Sequence, residues 1–357
     1  MAAASLVRAQ TMTAFVASDP FAAISGVPSE LVWEKGGSGS LPRATIAIPT
    51  YRRFDTLVEA IASALAQTGV EPPDVVIVDN EGHGGKPAAI QKRLEEAGDC
   101  RVRYFVNAEN LGMFGNWNRC IELSRTPWLT ILNDDDLLRP SFLERSLAAV
   151  ARLGAPDGIV CRKGVRDRRA NPCPARPPSA RQRLNKAIGR ALERTAFRNG
   201  VLKVDARRLF FGNFIGNGAG FLFRREAAFE LGGYDPDEWP AADFLFYVRM
   251  ARAGGLFLLD EELADVGLGD NESLSYDVLF RFVTQLHTNR MDMVGEAVPA
   301  NWASMTPQLA SNHALQAERA WGVSLDREAL EIALGGIRLP DPDTRREALW
   351  RLRHGAF

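Results

Sequence analysis

Short apolar runs take turns with helix-length segments through the first half of the chain. Residues 44–49 (ATIAIP), 74–79 (DVVIVD), 101–106 (RVRYFV) and 128–132 (WLTIL) read as buried strands. Residues 55–67, 87–97, 113–124 and 141–153 read as helices, and the first and last of these carry clear amphipathic spacing. Asp55 is placed to cap the first helix, and Gly69 and Gly98 are placed to stop helices. Apolar strands with helical connections predict an α/β fold, a mainly parallel sheet flanked by helices. Later come a helix at 241–253, a short strand at 256–259 and, from Tyr276 onward, a mostly helical region.

The expected organisation follows. Residues 1–42 form an N-terminal extension and linker, with Gly36, Gly37, Ser38, Gly39 and Ser40 as its flexible part. Phe21, Ile24, Leu31, Val32 and Trp33 could still pack onto the body. Residues 43–275 form the main domain, with a first half at 43–153 and a second at 209–275. Between them, 162–208 is an excursion rich in proline whose first half carries nine Lys and Arg residues against Asp167. It reads as a solvated loop or as a basic flap over anionic groups. Residues 276–357 are the helical C-terminal region. Its last stretch, 344–354 (TRREALWRLRH), packs on the body or lies on a membrane surface.

Thr50, Asp79 and the run Asn133, Asp134, Asp135, Asp136 all fall at or just past strand C-termini. Ligands of open α/β sheets bind at that edge. Three adjacent carboxylates repel one another, and at the end of a buried strand they need a cation between them. Mg²⁺ and Mn²⁺ take such oxygen ligands and leave positions for a substrate's phosphates. The competing reading is a solvated turn before the helix near Pro140.

With 46% hydrophobic residues, 24% charged residues and a net charge of −1 among 357 residues, the composition is that of a soluble protein. Near-neutral charge argues against nucleic acid as the partner. No apolar run approaches bilayer-spanning length, and the first 20 residues lack a signal peptide's apolar centre. Cys100, Cys120, Cys161 and Cys173 lack metal-type spacing and fit free thiols in a reducing compartment. The expected location is cytoplasmic, with peripheral contact at the inner face of the membrane as its extension.

Seven pieces in order carry a resemblance. They are 46–52 (IAIPTYR), 76–80 (VIVDN), 110–112 (NLG), 132–136 (LNDDD) with Pro140, 220–225 (GFLFRR), 231–235 (LGGYD) and 243–249 (DFLFYVR). Together, over roughly 45–275, they resemble a family 2 glycosyltransferase of the GT-A fold. The resemblance implies an inverting transfer of sugar from a nucleoside diphosphate sugar (UDP, GDP or dTDP) to a hydroxyl of a glycan or lipid-linked acceptor, in building a surface polysaccharide or glycoconjugate. Residues 43–153 would be the nucleotide-sugar half and 209–275 the acceptor half.

The implied donor site takes in Pro49, Thr50, Tyr51, Arg52, Asp79, Asn110, Gly112, Asn116, Asp134 and Asp135. A divalent Mn²⁺ or Mg²⁺ would lie at Asp134, Asp135 and Asp136, nearest the last two. Asp243 would be the general base, at the start of its helix, where it can also serve as a cap. Asn217, Gly218, Trp239 and Ala242 are the acceptor-side candidates. Asp79, Asn110 to Gly112 and Asn217 also suit plain turns, and Trp117 suits a core anchor. His83, His287, His313 and His354 read as structural or surface residues.

Two departures stand out. Ala242 occupies the place of an acid that relatives often carry before the base. Val266 and Leu268 stand where relatives often carry a basic pair, and Arg52, Arg224 or the basic excursion are the available substitutes. Two rival readings remain, a nucleotidyltransferase and a non-catalytic glycan- or nucleotide-binding scaffold. The first wants a glycine-rich loop after the first strand, and residues 49–54 (PTYRRF) contain no glycine. Oligomeric state is open.

Overall fold

The structure is a computed structural model that describes residues 19–36, 41–80, 90–92, 95, 100–154, 156–168, 195–269 and 275–356. In chain order the elements are α1 (Pro20–Ile24), β1 (Ser29–Lys35), β2 (Ala44–Thr50), α2 (Phe54–Leu65), β3 (Asp74–Asp79), β4 (Arg101–Asn107), α3 (Gly112–Leu123), β5 (Trp128–Ile131), β6 (Leu137–Leu138) and α4 (Phe142–Leu153). There follow β7 (Gly158–Asp167), β8 (Val201–Lys203), α5 (Ala206–Phe210), β9 (Phe221–Arg224), α6 (Arg225–Glu230), α7 (Ala242–Arg252) and β10 (Leu256–Leu268). The last are α8 (Tyr276–Met293), α9 (Thr306–Trp321), α10 (Arg327–Ala333) and α11 (Thr344–Arg353). None of the described helices is long and apolar enough to cross a membrane.

The chain divides into two compact units. The first, made of Met1–Ala170, Asn217–Asp237 and Gly255–Gly269, holds the sheet, in the order β1-β4-β3-β2-β5-β9-β7-β10-β6. Neighbours run parallel from β4 through β3 and β2 to β5. β9 is antiparallel to both β5 and β7, and β7 and β10 are parallel. Every residue of β2 and β3 is buried, as their unbroken apolar runs require, with α2 and α3 packed against both strands. Arg103 Nη2 donates to Asp74 Oδ2 at 2.7 Å inside this layer, and Thr45 Oγ1 donates to the same oxygen. The β2–β3 register sets Thr50 beside Asp79 and so aligns two strand ends.

Four observations differ from the sequence expectations. Residues 29–35, expected within an appendage, are the edge strand β1, antiparallel to β4. Most of β1 is exposed, so its side chains carry little apolar pattern. Arg119 fixes the approach to it: Nη1 donates to Ser29 Oγ at 2.6 Å, and Nη2 donates to the carbonyls of Ile24 and Val27 at 2.8 and 2.7 Å. Second, the start of the expected excursion, 162–167, belongs to β7. Its cations meet acids from distant parts of the chain, Arg162 with Asp260 and Arg166 with Glu59. Residues 169–194, and most of the expected helix at 87–97, lie outside the described residues.

Third, β10 continues to Leu268, past two irregular steps near Glu262. Its acids break the apolar pattern because they pair with Arg139, Arg145 and Arg162. Fourth, Asp55 sits in the first turn of α2, and Arg53 is the residue before the helix.

The second unit comprises Asn171–Gly216, Glu238–Gly254 and Asp270–Phe357. Val283, Ala310, Leu330, Leu334 and Leu339 form an apolar cluster in it. Asp326 and Asp343 accept backbone hydrogen bonds at the starts of α10 and α11. The buried Arg290 donates through Nε to the Phe210 carbonyl at 2.6 Å and lies against His313 through Nη2. Burial lowers the Arg290 pKa to about 9 and holds His313 well below the ordinary histidine value.

Candidate functional site

β2 ends in Pro49 and Thr50, and the chain then turns through Tyr51, Arg52 and Arg53 into α2. Arg52 adopts φ 58°, a left-handed conformation uncommon outside glycine, and its guanidinium lies 4.9 Å from the centre of the Tyr51 ring. Strain of this kind marks a segment whose shape is fixed by its surroundings. β5 runs parallel beside β2, so residues 133–136 emerge next to this turn. Thr50 Oγ1 donates to Asp134 Oδ2 at 2.8 Å. Arg53 Nη1 donates to Asp135 Oδ2 at 2.6 Å and lies 3.6 Å from Asp134 Oδ1. The cation that the acid run needs is therefore supplied, in part, by the chain itself.

The three aspartates differ. Asp136 is 1% exposed, and both its oxygens face the protein. Oδ1 accepts from the Gly267 backbone N–H at 2.9 Å, and Oδ2 accepts from the side-chain amides of Asn133 and Asn217 at 3.2 and 3.4 Å. The Asn217 carbonyl in turn accepts from Lys163. Burial, then the neighbouring Asp135 charge, raises the Asp136 pKa to about 7. Burial also raises Asp134 to about 6, against the Thr50 hydroxyl and the Arg53 charge. Asp135 keeps 19% of its side chain exposed, against 7% for Asp134.

Asp136, expected nearest the metal together with Asp135, ties the loop to β10 through the Gly267 backbone N–H. Gly267 is part of that tie, because a Cβ there would overlap the Asp135 carbonyl oxygen. Among the described residues there is no group of three metal-ligating side chains. Hard divalent ions that share phosphates often take only one or two protein carboxylates. Asp135, with Asp134 behind it, fits that donor set.

The remaining candidates separate into those at the strand ends and those used internally. Asp79 ends β3 and accepts from the Tyr104 hydroxyl at 2.8 Å. Asn110 Oδ1 accepts from Asn80 Nδ2 and from the Gly112 backbone N–H, which shapes the turn into α3, and Gly112 there has φ 71°. Asn116, expected at the donor, is buried. Its Nδ2 donates to the Val78 carbonyl at 3.0 Å and its Oδ1 accepts from Asn107 at 2.9 Å. Trp117 is a core anchor, edge-on to Tyr234 at 4.9 Å.

Asn217, expected on the acceptor side, serves the acid cluster, and Gly218 lies beside the Trp117 ring. Ala242, also expected on the acceptor side, is fully buried. In the second unit, Trp239 is exposed with Arg281 5.4 Å from its ring centre. Asp243 lies in the first turn of α7, where its Oδ1 accepts from the Phe244 backbone N–H at 2.7 Å.

Sequence reasoning missed Arg53, Lys163 and Gly267. Arg52 and Arg53 are adjacent, and only the turn's conformation shows that Arg53 meets Asp134 and Asp135. Arg224, a substitute cation by sequence, pairs instead with Asp157, Glu226 and Glu230. Val266 and Leu268, expected in a loop, are paired strand residues of β10, and residues 270–274 beyond them lie outside the described residues.

Comparison with known proteins bears on the fold and the family. The succinoglycan biosynthesis protein ExoO of Rhizobium meliloti (strain 1021) is 36% identical over 115 residues, which span 32% of this chain and 32% of ExoO. S. aureus TarS 1-349 in complex with UDP-GlcNAc is 14% identical with a TM-score of 0.56, over 82% of this chain and 80% of that one. The mannosyltransferase PcManGT from Pyrobaculum calidifontis, in complex with GDP-Man and Mn²⁺, is 16% identical with a TM-score of 0.50, over 99% of this chain and 84% of that one. Both structures share the fold. The profile of Glycosyl transferase family 2 matches residues 45–231, from the first parallel strand to the end of α6, so this chain belongs to that family.

Proposed function

We propose that the chain transfers a sugar, with inversion, from a UDP, GDP or dTDP sugar to a hydroxyl of a glycan or lipid-linked acceptor, in the assembly of a surface polysaccharide or glycoconjugate. The observation that carries this reading is the joining of the β2 turn to the acid run, through Thr50 to Asp134 and Arg53 to Asp135. Donor-bound relatives of the same fold, TarS with UDP-GlcNAc and PcManGT with GDP-Man and Mn²⁺, support the donor class.

In this reading Tyr51 offers an aromatic face to the base, and Asp79 accepts from a base N–H or a ribose hydroxyl. Asp134 serves the ribose side, and Asp135 is the open carboxylate for Mn²⁺ or Mg²⁺. A divalent ion held by Asp135, with Asp134 beside it, would supply positive charge to offset the negative charge developing on the departing nucleoside diphosphate. Asp136 holds the loop in register through Gly267 and Asn217. Arg53 leans between Asp134 and Asp135 and exchanges that contact for the diphosphate. Asp243 takes the proton of the attacking hydroxyl on the face opposite the leaving group, as inversion demands.

The test incubates purified protein with UDP-, GDP- and dTDP-sugars, Mn²⁺ and an acceptor panel. Release of nucleoside diphosphate is measured, and the product anomer is read by NMR. Asp135→Asn is expected to lose metal-dependent nucleotide binding. Asp243→Asn is expected to keep binding and to lose transfer by at least ~10²-fold. Turnover by Asp243→Asn at the wild-type rate excludes that base, and nucleotide binding without turnover of any donor favours the scaffold reading.

A further inference from the structure

The last helix leaves one of its faces uncovered. α11 turns Glu347 and Arg351 toward the rest of its own unit. Asn312 Nδ2 donates to Glu347 Oε2 at 2.8 Å, and Arg351 Nη2 donates to the Phe211 carbonyl at 3.0 Å and to Glu347 Oε1 at 2.7 Å. One turn on, the His354 ring lies 4.6 Å from Trp302. The only acid within the helix is therefore spent on the inside.

Helical spacing then puts Arg345, Leu349 and Leu352 on the opposite face, with Arg346 and Arg353 along one flank. Leu349 is 65% exposed and Leu352 is 48% exposed. Arg345, Arg346 and Arg353 are exposed and enter no ion pair among the described residues, although Arg346 covers the Trp350 ring at 5.0 Å. This contrasts with Arg145 of α4, Arg162 and Arg166 of β7 and Arg168 just beyond it, each of which meets a carboxylate.

A buried protein interface suits two leucines without three unneutralised cations, and plain solvent suits the arginines without the leucines. The headgroup region of an anionic bilayer accommodates both. Apolar side chains enter the acyl boundary, and guanidinium groups reach back to the phosphates on long apolar stems. We propose that α11 docks this unit reversibly on an anionic lipid surface, with Leu349 and Leu352 inserted and Arg345, Arg346 and Arg353 on lipid phosphates. Two leucines make a small apolar insertion, so the attachment is electrostatic in large part and weakens with salt. The inference rests on this face alone and is independent of the proposed transfer reaction.

The experiment is co-sedimentation of the full chain with vesicles of phosphatidylcholine alone and of phosphatidylcholine mixed with phosphatidylglycerol. Circular dichroism and melting temperature control for folding. The chain is expected to pellet with the anionic vesicles only and to be released by high salt. Leu349→Asp with Leu352→Asp is expected to reduce the bound fraction at least tenfold. Arg345→Gln, Arg346→Gln and Arg353→Gln together are expected to abolish the preference for anionic lipid. Failure of the folded wild type to bind anionic vesicles overturns the proposal, as does equal binding by both folded variants. A dimer that Leu349→Asp dissolves, with no vesicle binding, also overturns it and gives the face to a second copy.

Discussion

Thr50 and Arg53 hold two neighbouring carboxylates in two different ways, and single substitutions separate them. Thr50→Val keeps the side chain's shape but takes the hydroxyl from Asp134 Oδ2. A hydrogen bond to a charged group is worth roughly 1.5–3 kcal/mol, so nucleoside diphosphate binding that uses Asp134 is expected to weaken about tenfold or more, measured by calorimetry. Arg53 is half exposed, and its contact with Asp135 is worth only about 1 kcal/mol. Arg53→Ala is expected to lower the melting temperature slightly without metal and to enlarge the stabilisation that Mn²⁺ gives. An Mn²⁺ effect smaller than in the wild type counts against Arg53 as the resident cation. At this scale the sequence displayed the acids but not their division. All three aspartates look alike in the run, and only the donors from residues 50, 53, 217 and 267 distinguish them.

At the scale of elements, the segments with a strong apolar period were legible. β2, β3, β4 and β5 and helices α2, α3 and α4 fall where the pattern puts them, because each is buried on a face that solvent cannot share. β1 and the outer part of β10 were not legible. Their partners are backbone groups and distant ions, which leave no period in the local sequence. These places are also where single changes act through an element rather than a contact. Arg119→Ala leaves the Ile24 and Val27 carbonyls and the Ser29 hydroxyl without their buried donor. A loss of about 3 kcal/mol is expected in denaturant unfolding, with faster proteolysis around residues 24–36. Gly267→Ala forces β10 off the Asp135 carbonyl and is expected to cost both stability and nucleotide binding. Thermal shift with and without UDP reads the two effects together.

At the scale of the whole molecule, the buried histidines of the second unit make stability depend on pH. Burial, then the Arg290 charge, keeps both His287 and His313 below the ordinary value of 6.5, so the fold holds them neutral. Below that pH the unfolded chain takes up protons that the folded chain refuses, and stability falls as acid is added until the folded histidines titrate. The melting temperature is expected to drop between pH 7.5 and 5.5. His313→Gln, which keeps an acceptor for Arg290, is expected to flatten that profile, and an unchanged slope excludes His313 as a source.

The edge strand β1 sets a timetable for synthesis as well. Ser29 pairs with Asn107, and Lys35 pairs with Val102, so the strand that leaves the ribosome early has no neighbour until about seventy more residues have been translated. At ordinary elongation rates that is a wait of roughly 4–15 s. The strand is seated only after β4 has been made, and a nascent chain halted anywhere between residues 36 and 100 carries it without that partner.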